Sequence, residues 1–441
     1  MITRIEIDGF KTFEGFSLDL QPFTAIVGPN ASGKSNLFDA LRFLSLLAQH
    51  DIRTAMQELR GEPEELFRET QSGTSDCMTF AVEVLLGRQG VDAFGTRYEI
   101  PARRLRYELK LVLSKNLDGL ATGIFVRSES CRPLNRNEEN ATYLVGTKLN
   151  YSVRKTPFIN PSKDGDATEI RQDGPKRHGS PRTLPLKKAT RTALSTIATA
   201  EFPHLHALRE VLLGIRFLEI NPKAARSAND RLEDHALKPD ASNLAAVLAH
   251  LKEQTATEIR PDGILADIAA DLASLIPSVR GLTVRNDQNQ RQYSFGVEFS
   301  DDLVFSSRVI SDGTLRLLAL LTVLNDPNRK GTLCFEEPEN GIHEGRVPML
   351  VEFLRNAANV AMDPSFQILV NTHSPVLMRQ LKNREVVAAD NVISIDPANR
   401  SRSVMTRMRT GNLPLGDLFD PLAHLFRSEV ERLLRNEIGA A

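Results

Sequence analysis

The sequence has no tryptophan and only three cysteines among its 441 residues. Cys77, Cys131 and Cys334 lie far apart and form no Cys-x-x-Cys pair, so neither a disulfide framework nor a zinc site is indicated. No apolar run approaches the length that spans a bilayer, and the first residues alternate like a strand rather than a signal peptide. The formal net charge is −1, so any surface that attracts polyanions must be a local patch. We therefore expect a cytoplasmic protein that is not a membrane component.

The most informative motif is Gly-x-x-x-x-Gly-Lys-Ser at residues 28–35, between an apolar run at 24–27 and a helical pattern of leucines. The glycines let backbone N–H groups converge on phosphate, and the following helix N-terminus adds partial positive charge. Lys34 is predicted to reach the terminal phosphates of ATP and Ser35 to bind Mg²⁺. A glycine turn that binds nothing is the alternative, and the strand and helix around the motif argue against it. The predicted nucleotide-binding residues here are Gly28, Pro29, Asn30, Ala31, Ser32, Gly33, Lys34, Ser35 and Asn36.

The remaining pattern predicts an α/β fold, a P-loop core of mixed sheet and helices that is split by a large, partly helical insertion. Residues 1–115 are predicted to form the N-terminal part of the core, 116–290 the insertion, 291–400 the C-terminal part and 401–441 a helical tail. Proline residues interrupt the helical patterns of the insertion, which excludes a long coiled-coil arm.

Within the insertion, residues 146–191 are rich in Lys and Arg and poor in large apolar side chains, which predicts a basic, flexible segment. Its clusters at 176–178 and 187–188 leave DNA or RNA open as a partner, although a basic linker is more often merely solvated. Aromatic residues are sparse, so base stacking is poorly supported.

Two carboxylates, Glu336 and Glu337, end a buried strand at the edge where parallel sheets bind ligands. Glu336 is predicted to hold Mg²⁺ and Glu337 to orient and polarise the attacking water. Further upstream, a helix start at Ser311, Asp312, Gly313 and Thr314 forms either a second anion-binding point or an ordinary N-cap. His373 follows another buried strand, where it either senses the γ-phosphate or is structural.

The order of these motifs resembles the ABC-type ATPases, and within them the SMC/RecF-like branch of AAA-type ATPases that includes the ATPase part of OLD-family nucleases. The resemblance makes residues 28–35 the Walker A loop, 311–314 the signature motif, 336–337 Walker B with the catalytic glutamate, 340–341 the D-loop and His373 the switch histidine. Catalytic roles are thereby implied for Glu337, His373 and Lys34. Two positions depart from the family pattern: Glu336 stands where Asp is usual, which predicts slow turnover, and the signature differs from the Ser-Gly-Gly-Gln of transporters.

The resemblance also implies function. In such ATPases the signature of one subunit completes the ATP site of another, so we expect an ATP-bound head-to-tail homodimer, or a higher oligomer, that acts as a switch on a partner protein or nucleic acid. DNA maintenance and anti-phage defence are the processes implied. Only about 68 residues follow His373, so a nuclease or other effector is expected to be a separate protein. A non-hydrolysing ATP-bound scaffold is the alternative, and a transporter's ATPase subunit is a weaker one. An apolar stripe in the tail, Leu422 to Leu434, either packs on its own domain or binds a partner.

Overall fold

The computed structural model describes residues 1–70, 73–144, 149–152, 154, 156–173, 180–300, 303–358, 365–396, 401–411, 420 and 423–435. The basic cluster at 176–178 and Leu422 of the tail stripe lie outside these ranges. Within them, no helix is both long and apolar enough to cross a membrane.

The strands are, in chain order, β1 Ile2–Asp8, β2 Phe16–Asp19, β3 Phe23–Val27, β4 Glu69–Thr70, β5 Gly73–Thr74, β6 Cys77–Leu85, β7 Gln89–Val91, β8 Arg97–Glu99, β9 Arg104–Lys115, β10 Ala121–Pro133, β11 Ile159–Pro161, β12 Ala167–Ile170, β13 Arg182–Pro185, β14 Ile215–Leu218, β15 Asn229–Asp230, β16 Val279–Asp287, β17 Gln292–Phe299, β18 Val304–Ser306, β19 Gly331–Glu336, β20 Phe366–Thr372, β21 Val386–Asp396 and β22 Ser401–Thr410. The α-helices are α1 Lys34–Leu47, α2 Ile52–Gln57, α3 Pro203–Leu213, α4 Pro222–Ala225, α5 Leu244–Thr255, α6 Leu265–Leu275, α7 Asp312–Asn325, α8 Val347–Ala357, α9 Pro375–Gln380 and α10 Arg427–Leu434.

The six-stranded sheet carries the phosphate loop and has the order β14-β19-β20-β3-β21-β22. Its strands are parallel except β22, which pairs antiparallel with β21. β3 comes from the front of the chain and lies between β20 and β21, which come from its last quarter. The predicted α/β core, split in sequence and joined in space, is therefore confirmed.

Both faces of this sheet are covered, because alternate side chains of each strand point to opposite sides. On one face, a core cluster joins the sheet through α1 to a second sheet of eight antiparallel strands, β13-β12-β11-β10-β9-β6-β1-β2. Phe10, Phe43 and Phe80 meet there with ring centroids 5.4–6.0 Å apart. On the other face, α5 to α8 form a second cluster with β16 and β17 of a small sheet.

In the middle of the chain, the strands of the structure differ from two sequence predictions. The sequence predicts a flexible segment at 146–191, but its described residues form β11, β12 and β13, which extend the eight-stranded sheet beyond β10. Ile159 and Ile170 are opposite each other in this extension and fully buried, so packing holds short strands that composition alone does not predict. The ladder between β9 and β10 also crosses the predicted boundary at 115. We propose a boundary after β13 instead.

Other elements also lie outside their predicted units. β14 belongs to the predicted insertion, yet it pairs with β19 in the core sheet. The predicted helical tail begins with β22, the edge strand of the same sheet, so the core extends beyond residue 400. Of the tail stripe, Leu425, Val430 and Leu433 are buried in the second cluster, whereas Phe426 is 56% exposed. The stripe therefore packs mainly on its own chain.

Arg104 is a buried charge that ties the eight-stranded sheet to the loop after β10. Its side chain is fully buried and donates to both carboxylate oxygens of Glu139, at 2.6 and 2.8 Å, and to Thr3 Oγ1 at 2.9 Å. Burial raises the pKa of its second neighbour, Glu83, whereas Arg104 itself opposes that shift. The start of β9, an interior strand of this sheet, therefore depends on a paired charge inside a low-dielectric environment.

We predict that Arg104→Ala lowers the free energy of unfolding by about 3–5 kcal/mol, because it leaves the buried carboxylate of Glu139 without its cation. The measurement is urea denaturation with linear extrapolation. Arg132→Ala is the matched control, since Arg132 pairs with Glu138 at 2.9 Å at the surface of the same sheet. We expect the control to change stability by only about 0–1 kcal/mol. Equal losses in both variants would contradict the prediction.

Candidate nucleotide-binding site

The phosphate loop turns from β3 into α1, and its two glycines are there for steric reasons. Gly33 has a φ of 86°, and a Cβ at this position would lie 1.9 Å from Thr406 Oγ1. A Cβ on Gly28 would lie 2.4 Å from the carbonyl oxygen of Ala389. The last two strands of the core thus press against the loop, and only glycine fits at either position.

The residues present fit a bound triphosphate. Ser32 Oγ is buried and has no hydrogen-bond partner among the described residues, and α1 begins directly after the loop at Lys34. Lys34 Nζ donates to the carbonyl oxygens of Gly28 and Pro29 at 2.8 and 2.6 Å. Burial lowers the pKa of Lys34, while Glu337 and Glu336 act in the opposite direction. Its ammonium group folds back on the loop, close to where phosphate oxygens would accept the same hydrogen bonds.

The loop is also held from outside. Asn36 Nδ2 donates to Thr12 Oγ1 at 2.8 Å, and Thr12 Oγ1 lies 2.7 Å from Thr406 Oγ1. Asn391 Nδ2 donates to the carbonyl oxygen of Ala31, at 2.8 Å, where the backbone φ of 62° is unusual for a residue with a side chain. Thr406 and Asn391 are missed by sequence reasoning, because nothing in the motif says which distant strand will cover the loop.

Glu336 lies where a magnesium ion would need an oxygen ligand. Its Oε1 accepts from Ser35 Oγ at 3.1 Å and from Asn371 Nδ2 at 2.9 Å. Hydroxyl and carboxylate oxygens are the hard donors that Mg²⁺ takes, and a site with few protein ligands leaves room for phosphate oxygens and water. No group of three or more His, Cys, Asp or Glu side chains forms a cation cage in the described part of the chain. The donors present therefore fit a metal that is shared with a nucleotide.

Glu337 and His373 are in direct contact. His373 Nδ1 lies 2.7 Å from Glu337 Oε1, and Asn340 Nδ2 donates to Glu337 Oε2 at 2.6 Å. The backbone of Glu337 has a φ of 48°, and its N–H donates to the carbonyl oxygen of Asn371 at 2.9 Å. A left-handed backbone is rare for glutamate and is typical of positions that structure over-determines. The carboxylate is thus aimed and held from two sides.

The last two residues of β20 and the residue that follows it each contact one carboxylate of the Glu-Glu-Pro-Glu segment. Asn371 holds Glu336, His373 holds Glu337, and the Thr372 hydroxyl donates to Glu339. Burial raises the pKa of Glu339. Asn371 and Glu339 are missed by the motif search, although the parallel pairing of two adjacent strand ends predicts such contacts once the strand order is known.

Residues 311–314 form a separate group. Ser311 caps α7, with its Oγ accepting from the backbone N–H of Thr314 at 3.2 Å. Arg226 donates to Asp312 Oδ1 at 2.5 Å and to the carbonyl oxygen of Ile310 at 2.8 Å. Within the described residues, no hydrogen bond or ion pair joins 311–314 to 28–36. The predicted residues Lys34, Ser35, Glu336, Glu337 and His373 are thus brought together, whereas the predicted signature residues make no polar contact with the phosphate loop and approach the carboxylates only through Gly313, which packs on Gly341.

Comparison with solved structures shows the fold. The chain is similar to a crystal structure of an Smc head bound to the C-winged helix domain of ScpA, with a TM-score of 0.51 and 14% identity over 93% of this chain and 97% of that one. The similarity extends over both sheets, since it covers nearly the whole chain.

Curated relatives match over short stretches only. The chromosome partition protein Smc of Methanocaldococcus jannaschii is 54% identical over 44 residues, which are 10% of this chain and 4% of that protein. Structural maintenance of chromosomes protein 1 of Schizosaccharomyces pombe is 39% identical over 61 residues, 13% of this chain and 5% of that protein. The matches thus span about a twentieth of the length of these relatives.

The family model described as "AAA domain, putative AbiEii toxin, Type IV TA system" matches residues 23–379. This range begins with β3 and includes the phosphate loop, the signature segment, both carboxylates and His373, and it is most of the chain. The chain therefore belongs to this AAA-domain family, and its fold is similar to that of an Smc head.

Proposed function

We propose that this chain is an ATP-driven switch, in which two copies bind two ATP molecules between them head to tail and separate after hydrolysis. ATP hydrolysis is a general property of the family. The observation that carries the proposal is the division of the predicted site. The phosphate loop, both carboxylates and His373 form one group, while Ser311 to Thr314 begin another helix with no polar contact to residues 28–36. A site of this kind is completed by a second copy.

In the proposed site, ATP lies against residues 28–36 and Mg²⁺ binds Ser35 and Glu336. The metal, when bound, neutralises charge on the phosphate oxygens. Glu336 has one methylene more than the usual Asp, and Asn371 fixes where its carboxylate lies. Lys34 exchanges two carbonyl partners of the loop for phosphate oxygens.

Glu337 is the proposed general base. Its carboxylate accepts hydrogen bonds from His373 and Asn340, which orient it toward an attacking water. His373 is half exposed, at 48% of its side chain, which leaves it free to contact the γ-phosphate as well as Glu337. Rigid positioning of this kind is what phosphoryl transfer requires of the protein.

Head-to-tail pairing of identical chains gives an interface with a two-fold axis, in which the same two surfaces meet twice. Residues 311–314 of each copy then supply a Ser hydroxyl and a helix N-terminus to the γ-phosphate in the other copy. Each ATP molecule is a contact between subunits, so its hydrolysis weakens the dimer. A homodimer is the simplest assembly of this kind, and higher oligomers reuse the same contacts.

The partner and the process are proposed from the relatives. The family description names a toxin of a toxin–antitoxin system, and the similar Smc head was solved with ScpA. A separate effector protein regulated by the dimer, in anti-phage defence or DNA maintenance, agrees with both.

A second candidate function is a scaffold that binds ATP without turning it over. The observation that favours it is the state of Glu337, whose two carboxylate oxygens both accept hydrogen bonds within the chain. The longer Glu336 also favours slow turnover. Hydrolysis measurements separate the scaffold from the switch.

We predict that Glu337→Gln traps the ATP-bound dimer, because it removes the base and keeps the size of the side chain. Light scattering after size exclusion with ATP and Mg²⁺ is the measurement, and steady-state phosphate release is expected to fall about a hundredfold or more. The control is Glu337→Gln combined with Ser311→Arg, which blocks the surface offered to the second copy and should stay monomeric. A monomer at all concentrations of Glu337→Gln would contradict the proposed switch.

Lys34→Ala is expected to abolish phosphate release, because the ammonium group is the main side-chain contact to the terminal phosphates. The matched control is Lys252→Ala, which removes a surface lysine paired with Asp262 and should keep the wild-type rate. Equal, near-zero release by wild type, Lys34→Ala and Lys252→Ala, together with retained ATP binding by wild type, would favour the scaffold.

Asn371 is predicted to position the metal through Glu336. We expect Asn371→Ala to raise the Mg²⁺ concentration at half-maximal ATPase rate about tenfold, as the loss of one hydrogen bond to a charged group implies. In a Glu336→Asp background the shorter carboxylate does not reach Asn371, so the same substitution should add little. The same tenfold effect in both backgrounds would show that Asn371 acts on folding rather than on Glu336.

A further inference from the structure

We propose that Ile393 and Val404 form an apolar platform for the base of the bound nucleotide. This inference rests on the proposed ATP binding to residues 28–36, and it assigns a ligand contact to the hairpin of β21 and β22. The class of ligand is the flat face of a nucleobase.

The strand register places four residues on one face of the hairpin. Asn391 is directly opposite Thr406, and Ile393 is directly opposite Val404. Residues two apart along a strand share a face, so both pairs point to the same side. That side faces the first core cluster, because Ala389 and Met408, the next pair along the strands, are buried in it.

The inner pair, Asn391 and Thr406, holds the hairpin against the phosphate loop. Asn391 Nδ2 donates to the carbonyl oxygen of Ala31, and Thr406 fills the space beside Gly33 where a Cβ would be. The outer pair, Ile393 and Val404, lies two residues further along the strands, about 7 Å from the pair of Asn391 and Thr406. A nucleotide whose phosphates fill the loop places its ribose and base at a comparable distance, so the outer pair is within reach of the base.

The strand that carries Val404, β22, is also tied to the turn between β1 and β2. Arg68 Nη2 donates to Glu14 Oε2 and to Ser403 Oγ, both at 2.7 Å. Its Nη1 donates to the carbonyl oxygens of Thr12 and Val404, at 3.3 and 3.4 Å. One buried guanidinium therefore locks β22 to the turn that also contacts the phosphate loop.

The outer pair itself is exposed. Ile393 is 55% and Val404 is 53% exposed, although they are directly opposite each other, while Thr406 beside them is buried. Single exposed apolar residues are ordinary, but two that form one continuous surface next to a binding loop indicate a ligand or a partner. Contact with the base would remove this surface from water.

The chemistry of the platform sets its selectivity. Aliphatic side chains contact the face of a ring and do not read its polar edge, so ATP and GTP should bind with similar affinities. Inorganic tripolyphosphate has no base, so its binding should not depend on the platform. A comparison of ATP with tripolyphosphate therefore distinguishes contact with the base from a general effect on the phosphate loop.

The test is equilibrium binding of ATP and of tripolyphosphate to the full chain carrying Ile393→Ser and Val404→Ser. We expect about tenfold weaker ATP binding, from the apolar area that the base no longer covers, and unchanged tripolyphosphate binding. The matched control is Val392→Ser with Met405→Ser, which changes the directly opposite pair on the other face of the same strands. Unchanged ATP affinity in the platform variant would overturn the proposal, as would an equal loss for tripolyphosphate.

A second subunit is the alternative binding partner for the surface formed by Ile393 and Val404. Repeating both titrations in a Ser311→Arg background, where the proposed dimer cannot form, separates the two. Loss of ATP affinity in both backgrounds supports the platform, whereas a loss confined to the dimerising chain assigns the surface to the subunit interface and overturns it. A wild-type chain that binds ATP and never dimerises would refute the switch and leave the platform intact.

Discussion

The site depends on one constraint, the parallel pairing of β19 with β20 at their carboxyl ends. Glu336 is directly opposite Asn371 in this ladder, so the residues that follow in each strand emerge at the same edge. Glu336 receives Asn371 at the end of the ladder, and just beyond it Glu337 receives His373, two positions after Asn371. A shift of the ladder by one residue would turn these side chains to opposite faces and separate both pairs.

The same ladder brings together parts of the chain that are far apart in sequence. β3 pairs with β20 and ends at the phosphate loop, which lets Ser35 reach Glu336 across 301 positions. The segment between Ser35 and Glu336 can therefore contain large insertions without disturbing the site, as long as the strands at both ends of the segment remain in the sheet. The eight-stranded sheet uses this freedom, and α1 is the element that joins it to the site, since it lies in the core between both sheets.

The motifs could be predicted because each is a local pattern with a local physical cause, a turn around phosphate or carboxylates at a strand end. The residues that cover those motifs could not be predicted. Asn391 and Thr406 lie on a hairpin whose register no sequence pattern predicts, and the second strand of that hairpin, β22, falls in the predicted helical tail. The strands at 159–185 are short and polar, and burial of Ile159 and Ile170 against distant neighbours outweighs a composition that favours disorder.

The backbone conformation of Glu337 is unfavourable by itself, and hydrogen bonds in the site stabilise it. A left-handed backbone at a residue with a side chain costs on the order of 1–2 kcal/mol, offset here by the hydrogen bonds from its N–H and to its carboxylate. One of those bonds comes from Asn340, and the next residue, Gly341, packs so closely on Gly313 that a Cβ would lie 2.9 Å from the Cα of Gly313. The start of α7 and the carboxylate are thus two ends of one short chain of contacts. No side chain fits between Gly313 and Gly341, so the segment that orients Glu337 is packed directly on the start of α7.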